Sequence, residues 1–241
     1  DYSSSGIGAF SVMSGGSWGA KSGDAYAGMT PVLPDAWVKY DRGWVTGTEG
    51  SGIESIVGSG APAATAANTV FRTSSLVPTQ YFLVENRQDV GYDRGLETMI
   101  PGFVGGVAIW HVDETQSSNT NDTHRKVDLE EADANESFGE GDALWFVGNL
   151  TSFSDGSTPN SRLYSGASTG KSVEALTAPG ATMDVLFSMP ICGNGTAETG
   201  EACDAPDVGA CPTGACDPDC TCPDPICGND IVEEGESCDG T

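Results

Sequence analysis

The 241-residue chain is 38% hydrophobic and 19% charged, which is enough apolar side chain for a real core in one large domain or two to three small ones. Ten Lys and Arg against 35 Asp and Glu give a net charge of -25, which repels phosphate backbones and anionic headgroups and argues against nucleic acid and membrane surfaces as partners. No apolar run approaches the length needed to cross a bilayer, and the opening DYSSSG has neither an initiator Met nor a leader pattern, so the sequence reads as an internal, soluble piece of something longer.

Residues 1–45 are rich in Gly, Ser and aromatics, and the stretch GIGAFSVMSGGSWGA sets a bulky thioether, Met13, in a glycine-rich turn. Taken alone, such a methionine reads as a core side chain filling an irregular gap. LPDAWVKYDRGWV predicts a short helix after Pro34, with Asp35 at its cap and Gly43 at its stop. Between Gly47 and Asn68, small residues surround IESIV, which predicts a short strand flanked by loops. Two stronger strands follow. QYFLVENRQ, residues 80–88, is apolar on both faces from Tyr81 to Val84 and then turns polar at Glu85, Asn86 and Arg87. GGVAIWHVDE, residues 105–114, repeats the design, with Val107 to Trp110 ahead of His111, Asp113 and Glu114. The pattern predicts inner strands that deliver polar tips to a site or a loop junction. RKVDLEEAD, ALWFVG and TMDVLFSM are shorter segments divided by Gly, Ser, Asn and Asp loops, so residues 48–190 read as a β-rich module of the sandwich type.

Within that module, Glu85 and Arg87 share one strand face and read as a structural ion pair. His111, at the end of an apolar strand, reads first as a satisfied core histidine; a zinc site with Asp113 and His124 is conceivable chemistry on a spacing that matches no metal motif. The acidic run VDLEEADANESFGEGD offers oxygen ligands for calcium at Asp128, Glu130, Asp133, Asn135 and Asp142, or else forms a solvated acidic loop, since it does not follow the EF-hand spacing.

All eight cysteines, Cys192, Cys203, Cys211, Cys216, Cys220, Cys222, Cys227 and Cys238, lie in residues 192–241, a segment with twelve acidic residues and no basic one. That asymmetry predicts a domain boundary near Pro190, and a segment so poor in large apolar side chains needs cross-links or metal to stay folded. CGNGTAETGEACD and CGNDIVEEGESCD align without gaps, with ten residues between the cysteines of each, so the tail is a repeat whose second copy is expected to be truncated. No histidine stands near the dense CDPDCTC cluster, which favours disulfides over zinc; the pairing among the six cysteines of the first unit is left open.

Five motifs in order, GIGAFSVMSGGSWG, PDAWVKYDRGWV, YFLVENRQDVGYDRGL, GGVAIWHVDE and RKVDLEEAD, continued by SFSDGSTPNSRLYSGASTGKSVEAL, resemble the C-terminal portion of the peptidase region of immune inhibitor A-type secreted zinc metallopeptidases over residues 1–189. The tail resembles the CGNG and GExCD cysteine-rich repeats of myxobacterial surface and secreted proteins. The resemblance implies a mainly β protein in three parts: a remnant of the C-terminal lobe of a zincin-like metallopeptidase with its methionine turn in residues 1–47, a β-sandwich-like module in 48–190, and a small disulfide-rich tail in 191–241. It also implies a secreted hydrolase acting on protein substrates by zinc-assisted proteolysis, with the repeats placed to meet a cell surface. Met13 would be the floor beneath the zinc-binding histidines, with Ser14, Gly15 and Gly16 making the bend and Trp18 packing beside it. The HExxH that carries zinc and the general base does not occur in this sequence. By the family pattern it lies shortly upstream of the methionine turn, so the zinc ligands are expected before Asp1 and this chain alone is expected to be inactive. A reading from another class is a non-catalytic extracellular binding or adhesion module with a calcium-stabilised β domain. A zinc-binding helix upstream discriminates the two.

Overall fold

The computed structural model describes residues 7–75, 77–135 and 141–188, together with Cys203. The chain divides after Ser188 into the units Asp1–Ser188 and Met189–Thr241. In the second unit, Cys203 is buried and disulfide-bonded. The other seven cysteines expected to form disulfides lie outside the described residues.

The first unit is mainly β. Its helix α1 (Ala36–Asp41) begins where the sequence places a cap: the Asp35 carboxylate accepts a hydrogen bond from the Val38 backbone N–H at 2.9 Å, satisfying an N–H that has no partner within the first turn. The chain leaves the helix through Gly43 at φ 71°, a left-handed conformation that glycine takes without a steric penalty. The strands are β1 (Thr48–Glu49), β2 (Gly52–Val57), β3 (Val70–Ser74), β4 (Gln80–Arg87), β5 (Gly106–Asp113), β6 (Val127–Leu129), β7 (Ser152–Phe153), β8 (Ser172–Ala175) and β9 (Thr182–Ser188). One sheet has the order β1-β3-β4-β5-β6, with β1 parallel to β3 and the other pairs antiparallel. The second, β2-β9-β8-β7, is antiparallel throughout.

The unit is built in three layers. Phe82, Val84, Val107 and Ile109 on one face of the β4–β5 pair meet Ile56, Phe153, Val173, Met183, Val185 and Phe187 of the second sheet. The opposite face, carrying Tyr81, Leu83, Ala108 and Trp110, is covered by Ile7, Phe10, Val32, Ala36, Leu96 and Ile100. Cover on both sides explains why every residue of β5 is buried and why Tyr81–Val84 of β4 and Val107–Trp110 of β5 run apolar without alternation. β9 has water on its outer side and alternates accordingly, with Met183, Val185 and Phe187 inward and Thr182 and Ser188 exposed. Residues 7–45 share this first core, so in this unit the stretch with the methionine turn and the β module pack as one body. ALWFVG forms no strand: Trp145 makes only an isolated bridge to Val107. Among the described residues no helix is long and apolar enough to cross a membrane.

Candidate functional site

The Met13 turn is fixed from within. Ser11 Oγ donates to Asp35 Oδ2 at 2.7 Å and accepts from the backbone N–H groups of Met13 and Asp35, each at 3.2 Å. The next segment runs alongside: Val32 N–H bonds to Gly16 O at 3.0 Å, Thr30 N–H to Gly19 O at 3.1 Å, and Gly28 N–H to Trp18 O at 3.0 Å. The backbones approach so closely at Gly16 that a Cβ there would lie 2.2 Å from Val32 Cγ2 and 2.5 Å from Ala9 O, so only glycine fits. Gly15 and Ser14 are half-buried at the start of the single 3-10 turn Gly15–Trp18. The outcome differs from the reading of Met13 as a core side chain: Met13 is 72% and Trp18 68% exposed, and Tyr26 and Met29 on the neighbouring segment are exposed too.

A buried charge network lies beneath. Arg87 donates through Nε to Asp93 Oδ2 at 2.7 Å and through Nη2 to Asp93 Oδ1 at 2.6 Å, a two-point grip that suits the planar guanidinium. Its Nη1 reaches Phe10 O at 2.7 Å and Glu85 Oε1 at 3.2 Å. Glu85 also accepts from Trp110 Nε1 at 3.0 Å and Ser59 Oγ at 3.0 Å, and it pairs with the Lys39 ammonium. Burial alone would raise the Glu85 pKa, but Lys39 and Arg87 override it and hold the carboxyl below its ordinary range. Burial likewise works against the Arg87 charge, and Asp93 and Glu85 outweigh it, raising its pKa. Asp93 Oδ1 accepts the Leu33 N–H at 3.0 Å, and Leu33 O accepts the Val12 N–H at 3.4 Å. The polar end of β4 is therefore turned inward and braces the turn that presents Met13. The ion pair expected between Glu85 and Arg87 is present as one edge of this network.

At the β5 tip three rings stack. The Tyr164 ring lies between His111, with centroids 4.4 Å apart and planes 13° apart, and His124, at 4.0 Å and 27°. His111 Nδ1 is 3.2 Å from Glu130 Oε1, and His124 Nε2 is 2.6 Å from Asp113 Oδ2. Asp113 Oδ1 accepts from the Thr115 backbone N–H and hydroxyl. Burial pushes the Asp113 carboxyl up, but these bonds and His124 prevail and its pKa is lowered. The Tyr164 phenol is pushed up chiefly by burial, with Asp128 and Glu130 adding to the effect. Tyr164 is held in place by its own loop: Asp155 accepts from Ser161 Oγ at 3.1 Å, Thr169 N–H at 3.1 Å and Gly170 N–H at 2.9 Å, clasping both ends of the segment between β7 and β8. Asp113 and His124 do come together, but the Tyr164 ring separates His111 from that pair.

The acidic run is spent largely on partners of its own. Asp128 pairs with Arg125, Glu130 with His111, and Asp133 Oδ1 accepts the Asn135 N–H at 3.2 Å. At Asp142 it is the backbone carbonyl that accepts, from Asn149 Nδ2 at 2.6 Å. Residues 136–140 of the run lie outside the described residues. Among the described residues, no three His, Cys, Asp or Glu side chains form a group able to hold a metal ion. Lys39, Asp93, Asp155 and Tyr164 are the residues that sequence reasoning missed. Each acts on a partner brought near only by the fold. No family model matches this chain, and no curated protein matches it.

Proposed function

We propose that this chain is the C-terminal part of a secreted zinc endopeptidase of the immune inhibitor A type, and that its own role is to support a cleft whose metal ligands lie upstream of Asp1. The observation that carries the reading is the Met13 turn: a thioether 72% exposed and an indole 68% exposed, held outward on a turn so tightly braced that Gly16 accepts no Cβ. Leaving such side chains in water forgoes about 1.5–3 kcal/mol for each one fully covered. A rigid turn that presents them is a surface suited to being covered. In this reading the cover is the zinc-binding segment that the resemblance puts before the turn, and Met13 supports its histidines without moving protons.

The described residues supply no zinc-binding set, so no step of the hydrolysis is assigned to them. Zinc, bound by the upstream segment, would polarise the scissile carbonyl of a protein substrate and activate water. The three-layer unit buttresses the floor, and the cysteine-rich tail acts outside the cell, at a cell surface. The test is to express residues 1–241 extended by the residues encoded before Asp1, beside residues 1–241 alone. The extended protein is expected to hold about one zinc per chain. It is also expected to cleave casein in a manner abolished by a zinc chelator, and Met13→Ala in it should lower zinc retention. An extended protein that folds but takes up no zinc removes the peptidase reading and leaves the non-catalytic binding module in its place.

A further inference from the structure

A cleft of about 340 Å³ opens between the α1 segment and the loop after β2. That is near the lower end of small-molecule sites, which run from roughly 300 to 1,000 Å³, and is room for one compact group. Leu33, Pro34, Val45 and the exposed Trp44 make its apolar walls, and Lys39 and Ser59 also line it. An ammonium has three N–H donors. Two of those on Lys39 go to Ser59 Oγ, at 3.0 Å, and to Glu85 Oε2. The third has no hydrogen-bond partner among the described residues. The Ser59 hydroxyl is already committed, since it accepts from Lys39 and donates to Glu85 at 3.0 Å. The cleft thus presents apolar walls and one charge-assisted donor on a cation whose charge Glu85 already balances.

This charge balance selects the ligand. A ligand carboxylate on Lys39 would sit close to the fully buried Glu85 carboxylate, and a ligand ammonium would face Lys39 itself. An uncharged oxygen acceptor incurs neither repulsion and is worth a charge-assisted hydrogen bond. We propose that the cleft binds an uncharged ligand with a compact aliphatic or aromatic body and a carbonyl oxygen that can reach Lys39, such as an apolar amino acid with both ends capped as amides. The carbonyl bonds to the Lys39 ammonium while the body packs on Leu33, Pro34 and Val45 beside Trp44. This goes beyond the peptidase reading and does not rest on it, because every residue involved belongs to this chain.

The test titrates N-acetyl-L-leucine amide and N-acetyl-L-phenylalanine amide into the isotope-labelled 241-residue chain, following the Trp44 indole N–H by NMR. Saturable shifts at Trp44 are expected at ligand concentrations on the order of millimolar, as fits so small a ligand. N-acetyl-L-leucine, which keeps its carboxylate, is expected to bind at least about tenfold more weakly. Filling the cleft with Ala64→Trp should abolish the shifts; Thr65→Trp, at an exposed lining position, does the same should the first variant perturb the fold. No saturable change at Trp44, equal affinity for the carboxylate, or undiminished binding in a folded filled-cleft variant would overturn the assignment.

Discussion

Replacing Arg87 by methionine is the sharpest test of what holds the Met13 turn. Methionine keeps most of the stem volume and removes the charge, so the loss reports the guanidinium and not a cavity. In the folded unit Arg87 is fully buried, grips both oxygens of Asp93 at 2.7 and 2.6 Å, and bonds Phe10 O at 2.7 Å. Removing it leaves Asp93 a buried carboxylate whose remaining hydrogen-bond partner among the described residues is the Leu33 N–H, while Glu85 keeps Lys39, Ser59 and Trp110. Removing one partner of a buried pair costs about 3–5 kcal/mol. For a unit of this size that corresponds to a fall in Tm of roughly 10 °C. Urea unfolding followed by circular dichroism gives the free energy, and hydrogen exchange at Val12 and Met13 shows whether the turn loosens with it. Arg87→Lys should recover less than half, because an ammonium cannot reproduce the two-point grip. The exposed Asp41–Arg42 pair, replaced as a control, should leave Tm nearly unchanged. A loss below about 1 kcal/mol in Arg87→Met, or full recovery by lysine, would refute the argument that this network braces the turn.

Gly16→Ala should cost about 1–3 kcal/mol, measured by the same unfolding assay, because the new Cβ would meet Val32 Cγ2 at 2.2 Å and Ala9 O at 2.5 Å. Asp113 has a lowered folded pKa, so the stability it contributes is present above the ordinary carboxylate value and is lost as pH falls through the folded value. Accordingly Asp113→Asn should be less stable than wild type at neutral pH, and the gap should close below about pH 4 in a thermal-melt series. Asp155→Ala should speed proteolysis within residues 155–170, since that carboxylate clasps the loop holding Tyr164 between the two histidines. With Asp128 and Glu130 engaged by Arg125 and His111, adding calcium or a chelator should move Tm by less than about 1 °C. A calcium-dependent rise of several degrees would instead support the calcium-stabilised β domain.

The longest strands and the helix were legible because their signals are local. β4 and β5 are apolar on both faces, and α1 follows an aspartate able to cap it. Strand β3 was not legible, since Arg72 interrupts its apolar run and settles over the Tyr81 ring at 4.2 Å, a contact made across the sheet. ALWFVG misled for the opposite reason: Ala143, Leu144 and Trp145 are buried by packing, and the sole pairing of this stretch with the sheet among the described residues is the isolated bridge of Trp145 to Val107. The Met13 environment depends on which segments pack above it, and nothing within GIGAFSVMSGG states that. The buried network was half visible. Glu85 and Arg87 advertise each other two positions apart, whereas Lys39 and Ser11 find their partners 46 and 24 residues away. The chemistry of His111, Asp113 and His124 suggests a shared zinc site, whereas in the fold His124 pairs with Asp113 and a tyrosine from a distant loop separates them from His111.

The most direct measurement is to read the coding sequence immediately before Asp1 at its genomic locus. The account predicts an HExxH on a helical segment there, close enough to the methionine turn for its two histidines to stand over Met13. A locus with no such helix, or one in which the glutamate is replaced, would contradict the account and leave the Met13 surface to a partner of another kind.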